Sequence, residues 1–240
     1  MKVIVTKNYE EMSAVAADMV AELIAAKPDC VLGLATGSTP EGMYANLVRG
    51  CKEGKIDFSA VRSVNLDEYF PIKPENDQSY RYFMNKNLFD HVNIDKANTY
   101  VPNGQATDPQ AEGARYEKII DDLGGADLQI LGIGQNGHIG FNEPGEVLIA
   151  GTHLEDLTED TIKVNSRFFA SVDEVPKQAF SMGIGSIFKA RSIVIMASGA
   201  NKHNAVAKML EGNVTTFCPA TLLNLHPNVT LICDEAAYNG

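Results

Sequence analysis

The chain has 240 residues, 45% of them apolar, and carries a formal charge of −11. That length buries a sizeable core, and α/β sheets of this size commonly form one domain. Because lysines and arginines are nowhere clustered in so acidic a chain, a surface for DNA or RNA is excluded, and only a small anion at a local basic pocket remains open.

The N-terminal MKVIVT reads directly as an alternating strand. Asn8, with Glu11 three residues on, has the pattern of a capping box. Met12, Val15, Ala16, Met19, Val20, Leu23 and Ile24 then share one helical face until Lys27-Pro28. The apolar run Val31 to Ala35 ends in Thr36-Gly37-Ser38-Thr39-Pro40 and leads into a helix over Glu41 to Arg49. The same order of strand, polar turn and helix recurs. Val61 to Leu66 runs into Asp67-Glu68, Leu128 to Ile133 into glycines, and Ser192 to Ala197 into Ser198-Gly199-Ala200 before a helix over Lys202 to Leu210. A last run, Val229 to Cys233, ends at Asp234-Glu235.

Near-continuous apolar strands alternating with helices predict an α/β fold with a mainly parallel, doubly wound sheet. In such sheets ligands bind beyond the carboxyl ends of the strands, where the unusual polar residues here all fall. Residues 1–240 read as a single domain. The polar segment Gly145 to Asn165 is either a lid or an ordinary surface connection. No apolar run reaches the about 18 residues of a membrane span, and no export signal precedes the first strand. The four cysteines, Cys30, Cys51, Cys218 and Cys233, lack C-x-x-C spacing and fit reduced thiols in a cytoplasm.

The chemistry concentrates in Gly132 to Pro144, GIGQNGHIGFNEP, where glycines allow close backbone approach and carry His138 and Glu143. A lone histidine is usually structural, but its flanking glycines and a nearby carboxylate favour a functional one. The other histidines are too dispersed for a metal site. GIGQNG also satisfies the dinucleotide fingerprint G-x-G-x-x-G, yet Gly140, Pro144 and Gly145 break the helix that motif requires. Asp156, about 20 residues on, lies in a charged stretch rather than at a second strand end.

In NLDEYF, Asp67 precedes the aromatic pair Tyr69-Phe70, and a carboxylate desolvated by such neighbours is a stronger base. Adjacent acids are also common in plain caps and turns. The turn Thr36, Gly37, Ser38, Thr39 reads as an anion cradle at a helix start or as an ordinary capped turn, with Thr39 as N-cap and Pro40 first in the helix. Arg167 and Lys202 are isolated cations that would complete a phosphate pocket only by converging on that turn.

In order and over nearly the whole chain, ATGSTP, NLDEYF, GHIGFNEP, NSRFF, VPKQAFSMGIGSI, the Ser198 to Lys202 turn and LHPNVTLICDE resemble the glucosamine-6-phosphate deaminase family. The resemblance implies a Rossmann-like three-layer αβα sandwich and conversion of glucosamine 6-phosphate and water into fructose 6-phosphate and ammonia, without metal or other cofactor. It implies that Asp67 is the proton-transfer base, His138 the ring-opening acid/base and Glu143 its partner, with phosphate held by Thr36 to Thr39, Arg167 and Lys202. Asn136 stands where longer members have a relay aspartate, and an amide orients an imidazole without adding negative charge. The sequence lacks the C-terminal extension of longer, allosterically activated hexamers, so a monomer or small homo-oligomer is expected. Two other readings share the resemblance: a 6-phosphogluconolactonase, which needs no C2 base, and a non-catalytic sugar-phosphate sensor, which needs neither Asp67 nor His138.

Overall fold

Alternation of short apolar strands with amphipathic helices builds three layers. A computed structural model of the chain describes all residues except Arg167, Phe168, Ala170, Val172 and Asp173, and leaves the side chains of Asp160, Val164 and Asn165 undescribed. In chain order the described elements are β1 (Lys2–Thr6), α1 (Tyr9–Ala26), β2 (Val31–Leu34), α2 (Glu41–Lys52), β3 (Arg62–Asn65), β4 (Asp67–Phe70), α3 (Tyr80–Met84), β5 (Thr99–Tyr100), α4 (Pro109–Asp122), β6 (Leu128–Gly132), β7 (His153–Asp156), α5 (Glu159–Asn165), β8 (Gln178–Ser181), α6 (Ile184–Phe188), β9 (Ile193–Ala197), α7 (His203–Leu210), β10 (Val229–Asp234) and α8 (Glu235–Asn239).

The main sheet has seven strands in the order β1-β10-β9-β6-β2-β3-β5. Every pairing in it is parallel. From β2 the chain winds outward through β3 to β5, and from β6 it winds the other way through β9 to β10. The reversal between β2 and β6 is the switch point at which open α/β sheets hold ligands.

Strand alternation sends neighbouring side chains to opposite faces. Leu32, Leu34, Ile130, Val194 and Met196 pack with α1 and α2. Val31, Leu131, Ile193 and Ile195 pack with Tyr116 and Ile120 of α4 and with Val206 and Met209 of α7. The sheet is therefore covered on both sides, as the apolar runs predict.

Asn8 caps α1, its side chain accepting from the Glu11 amide at 2.9 Å. The reciprocal half of the box is displaced by one residue, because the Glu11 carboxylate accepts from Lys7 rather than Asn8. At the start of α2 the N-cap is Pro40 with no side-chain cap bond, so Thr39 does not cap it. The tyrosine hydroxyl of Tyr9 takes that place: it accepts from the Gly42 amide at 2.8 Å and donates to the Ser38 carbonyl at 2.9 Å.

The second sheet was not expected from the sequence. It is antiparallel, ordered β4-β8-β7. Asp67 and Glu68, which read as a turn, are instead the first residues of β4. The segment 145–165 contains β7, and its last seven residues, 159–165, are α5.

Candidate active site

The register of the main sheet assembles the site. Leu34 of β2 lies opposite Asn65 of β3, so Thr36 and Asp67, each two residues further, leave the sheet side by side. The next strand on the other side of β2 is β6, and a β-carbon on Gly132 at its end would lie 3.8 Å from Thr39. Beyond it, Lys202 of the turn after β9 donates from Nζ to the Ile133 carbonyl at 2.7 Å. Thr36, Gly37, Ser38, Thr39, Asp67 and Lys202 thus gather at the carboxyl edge, around the switch point. Arg167 lies outside the described residues.

Asp67 is buried, and its Oδ1 has no hydrogen-bond partner. Burial, reinforced by the neighbouring Glu68 charge, pushes its carboxyl up to about 8, and the Thr36 hydroxyl beside it only partly offsets this. Such a group holds a proton at neutral pH far more readily than an ordinary aspartate and is correspondingly the stronger base when ionised.

Glu68 points to the other side of β4 and is fully engaged. Oε1 accepts from the amides of Tyr69 at 2.9 Å and Tyr80 at 2.8 Å, while Oε2 accepts from the Ser79 hydroxyl at 2.8 Å and the Arg81 amide at 3.0 Å. Burial raises its carboxyl despite these donors. Its effect is to seat the start of α3, and with it Tyr80, whose ring stacks on Phe141 with centroids 6.2 Å apart. Tyr69 and Phe141 belong to a small apolar cluster with Ile72, Leu157 and Ala179.

The glycine-rich loop after β6 is a tight turn and not a helix start. The Gly134 amide donates to the His138 carbonyl at 2.9 Å and the Gly137 amide to the Gly134 carbonyl at 3.0 Å. This geometry removes the dinucleotide reading. At Gly140, φ is +57°, and a β-carbon there would meet Ser181 Oγ at 3.0 Å and lie 4.0 Å from Asp67 Oδ2. Ser181 pairs with Asp67 across β8 and β4, and its hydroxyl accepts from the Phe141 amide at 3.0 Å. The loop that carries His138 is therefore fastened against Asp67.

His138 Nδ1 lies 3.3 Å from Glu143 Oε2, an ion-pair distance without the alignment of a full hydrogen bond. The same oxygen accepts from Asn136 Nδ2 at 2.8 Å, and Asn136 Oδ1 accepts from the His138 amide at 3.1 Å. Asn136 thus braces Glu143 and the backbone of His138. Glu143 Oε1 accepts from Thr161 Oγ1 at 2.5 Å. Burial raises the Glu143 carboxyl, but His138, Thr161 and Asn136 together outweigh it and hold the group below the usual carboxylate range. Thr161 carried no signal in the sequence, because its partner lies 18 residues away and nothing in the spacing predicts the fold-back.

Among the described residues no three His, Cys, Asp or Glu side chains group as a metal site. No described helix is long and apolar enough to cross a membrane.

A family described as glucosamine-6-phosphate isomerases and 6-phosphogluconolactonases matches residues 6–232. The chain belongs to that family. Within it, the chain is 58% identical over 237 residues to the glucosamine-6-phosphate deaminase of Clostridium perfringens, covering 99% of this chain and 98% of that one. It is 56% identical, with the same coverage, to the glucosamine-6-phosphate deaminase of Halothermothrix orenii. A solved structure of a monomeric glucosamine-6-phosphate deaminase matches with a TM-score of 0.97 at 45% identity, covering 100% of this chain and 99% of that one. The 6-phosphogluconolactonase of Trypanosoma cruzi matches with a TM-score of 0.76 at 19% identity, covering 100% of this chain and 96% of that one, which is a likeness of fold alone.

Proposed function

We propose that this chain is a glucosamine-6-phosphate deaminase, converting glucosamine 6-phosphate and water into fructose 6-phosphate and ammonia. The observation that carries the reading is the buried Asp67, with one oxygen free of hydrogen bonds, fastened beside the loop that holds His138 and Glu143. Identity of 58% and 56% to two deaminases over 99% of the chain supports it over the lactonase, matched in structure at 19% identity. A sensor would have no use for that pair.

His138, oriented by Glu143, moves a proton from the anomeric hydroxyl to the ring oxygen and opens the pyranose. Opening comes first, because only the free aldehyde acidifies the hydrogen on C2. Asp67 then removes that proton to leave an enolamine, and a proton returned to C1 gives a C2 imine. Water adds to the imine, ammonia leaves, and fructose 6-phosphate remains. The substrate's own carbonyl and amine serve as electron sink, so the reading assigns no cofactor.

Thr36, Gly37, Ser38 and Thr39, with Lys202 and Arg167, hold the phosphate. Remote binding of this kind positions C1 and C2 against Asp67, and good positioning contributes up to about 7 to 11 kcal/mol toward the barrier. The 145–165 segment acts as the lid. A phosphorylated sugar substrate and four thiols without disulfides fit a cytoplasmic enzyme, working as a monomer or small homo-oligomer. Purified protein given glucosamine 6-phosphate and no added cofactor is expected to release ammonia and fructose 6-phosphate in equal amounts. Substrate binding without ammonia release would overturn the reading.

A further inference from the structure

We propose that Thr161 is a positioning residue for the ring-opening step, fixing the free corner of Glu143 so that its other oxygen faces the His138 imidazole. The inference rests on the reading of Glu143 and His138 given above and extends it to a helix that carries no reacting group.

A carboxylate held at one oxygen can still swing about its terminal bond. Asn136 and His138 both address Oε2 of Glu143, so neither fixes Oε1. Thr161 Oγ1, at 2.5 Å from Oε1, removes that freedom. Thr161 is itself buried and β-branched, which restricts its own rotamers. Its hydroxyl has a single proton, and with that proton on the carboxylate it accepts from the Thr158 hydroxyl at 3.1 Å. Thr158 is the N-cap of α5, accepting from the Thr161 amide at 3.2 Å. The direction of the whole chain, from helix cap to hydroxyl to carboxylate to imidazole, is thereby specified. Loss of the Thr161 proton would leave Glu143 buried with one oxygen unpartnered and free to turn away from the ring.

The test compares Thr161→Val, which keeps the shape and removes the donor, with Thr161→Ser, which keeps the donor, and with Glu143→Gln. A lost hydrogen bond to a charged group predicts that Thr161→Val lowers kcat on glucosamine 6-phosphate about tenfold, with KM little changed and the thermal midpoint lowered by several degrees. Thr161→Ser is expected to regain most of that loss. The dissociation constant of 2-amino-2-deoxyglucitol 6-phosphate, an open-chain alcohol that needs no ring opening, is expected to stay within about twofold of wild type in all three variants. A purely structural role would instead weaken that binding along with turnover and would not distinguish serine from valine, and either result overturns the proposal. Undiminished kcat in Thr161→Val alongside a crippled Glu143→Gln would refute the role of Thr161 alone. Undiminished kcat in Glu143→Gln would refute the underlying reading and the proposal with it.

Discussion

The imidazole of His138 lies directly against Gly134, so closely that a β-carbon on Gly134 would fall 2.5 Å from Cε1 and 2.6 Å from Cγ of the ring. Only a hydrogen fits between that backbone and the ring, which makes the glycine part of what fixes the ring's plane. Gly134→Ala cannot be absorbed without moving His138. It is expected to reduce kcat nearly as far as His138→Asn does, while changing thermal stability by only about 1 to 3 kcal/mol, the usual cost of overpacking. Steady-state kinetics and thermal melts on the two variants check this; an active Gly134→Ala enzyme would mean the ring has room to spare.

The raised carboxyl of Asp67 makes stability depend on pH in a defined direction. Its folded-state value of about 8 lies above that of an aspartate in an unfolded chain, so the native state retains a proton that the unfolded state releases. Asp67 therefore supports the fold fully at acid pH, and its contribution is lost as pH rises toward about 8. Asp67→Asn has no proton to lose, so its thermal midpoint is expected to gain on wild type progressively across that window. Melts of both proteins through the same pH series measure the difference, and a constant gap would contradict the burial argument. Because the base must be ionised to act, kcat/KM is also expected to climb with pH until about 8.

Glu68 is adjacent to Asp67 but has a different task. Removing its carboxylate strands the Tyr69 and Tyr80 amides and the Ser79 hydroxyl proton, and leaves the Arg81 amide only the Ser79 hydroxyl at 3.1 Å. Glu68→Ala is expected to cost on the order of 3 kcal/mol in denaturant unfolding, since unsatisfied buried groups lose their full desolvation penalty. A loss below about 1 kcal/mol would show that water replaces those bonds.

The strand and helix frame was legible because its signal is local. The near-continuous apolar runs at Val31, Leu128, Ile193 and Val229 are the central strands, and the face from Met12 to Ile24 is α1, capped by Asn8 as read. Asp67, Asn136, His138 and Glu143 stood out because their chemistry is unusual for the ends of apolar strands. What the sequence concealed depends on distant partners. β4, β7 and β8 are four residues each, too short for alternation to declare itself, and β4 pairs with β8 across more than a hundred residues of chain. Helix α4 went unread because Glu112 and Gly113 interrupt its buried face, leaving only Tyr116 and Ile120 to mark it. Thr39 looked like a cap from its neighbours alone, yet the hydroxyl that serves the start of α2 arrives from Tyr9.

If the phosphate is held to orient the sugar, then losing its grip should slow chemistry as well as weaken binding. Arg167→Ala and Lys202→Ala are both expected to lower kcat in addition to raising KM. Lys202→Ala also releases the Ile133 carbonyl at the head of the His138 loop, so its kcat should fall further than loss of one charge alone explains. A change confined to KM in both variants would mean that phosphate binding serves affinity only.

The proton on C2 of the substrate reports on Asp67 itself. In deuterated water, wild-type protein is expected to exchange that hydrogen during turnover, and Asp67→Asn is expected to bind glucosamine 6-phosphate while leaving C2 unexchanged. Exchange that persists in Asp67→Asn at the wild-type rate would contradict the account, because some other group would then be the base.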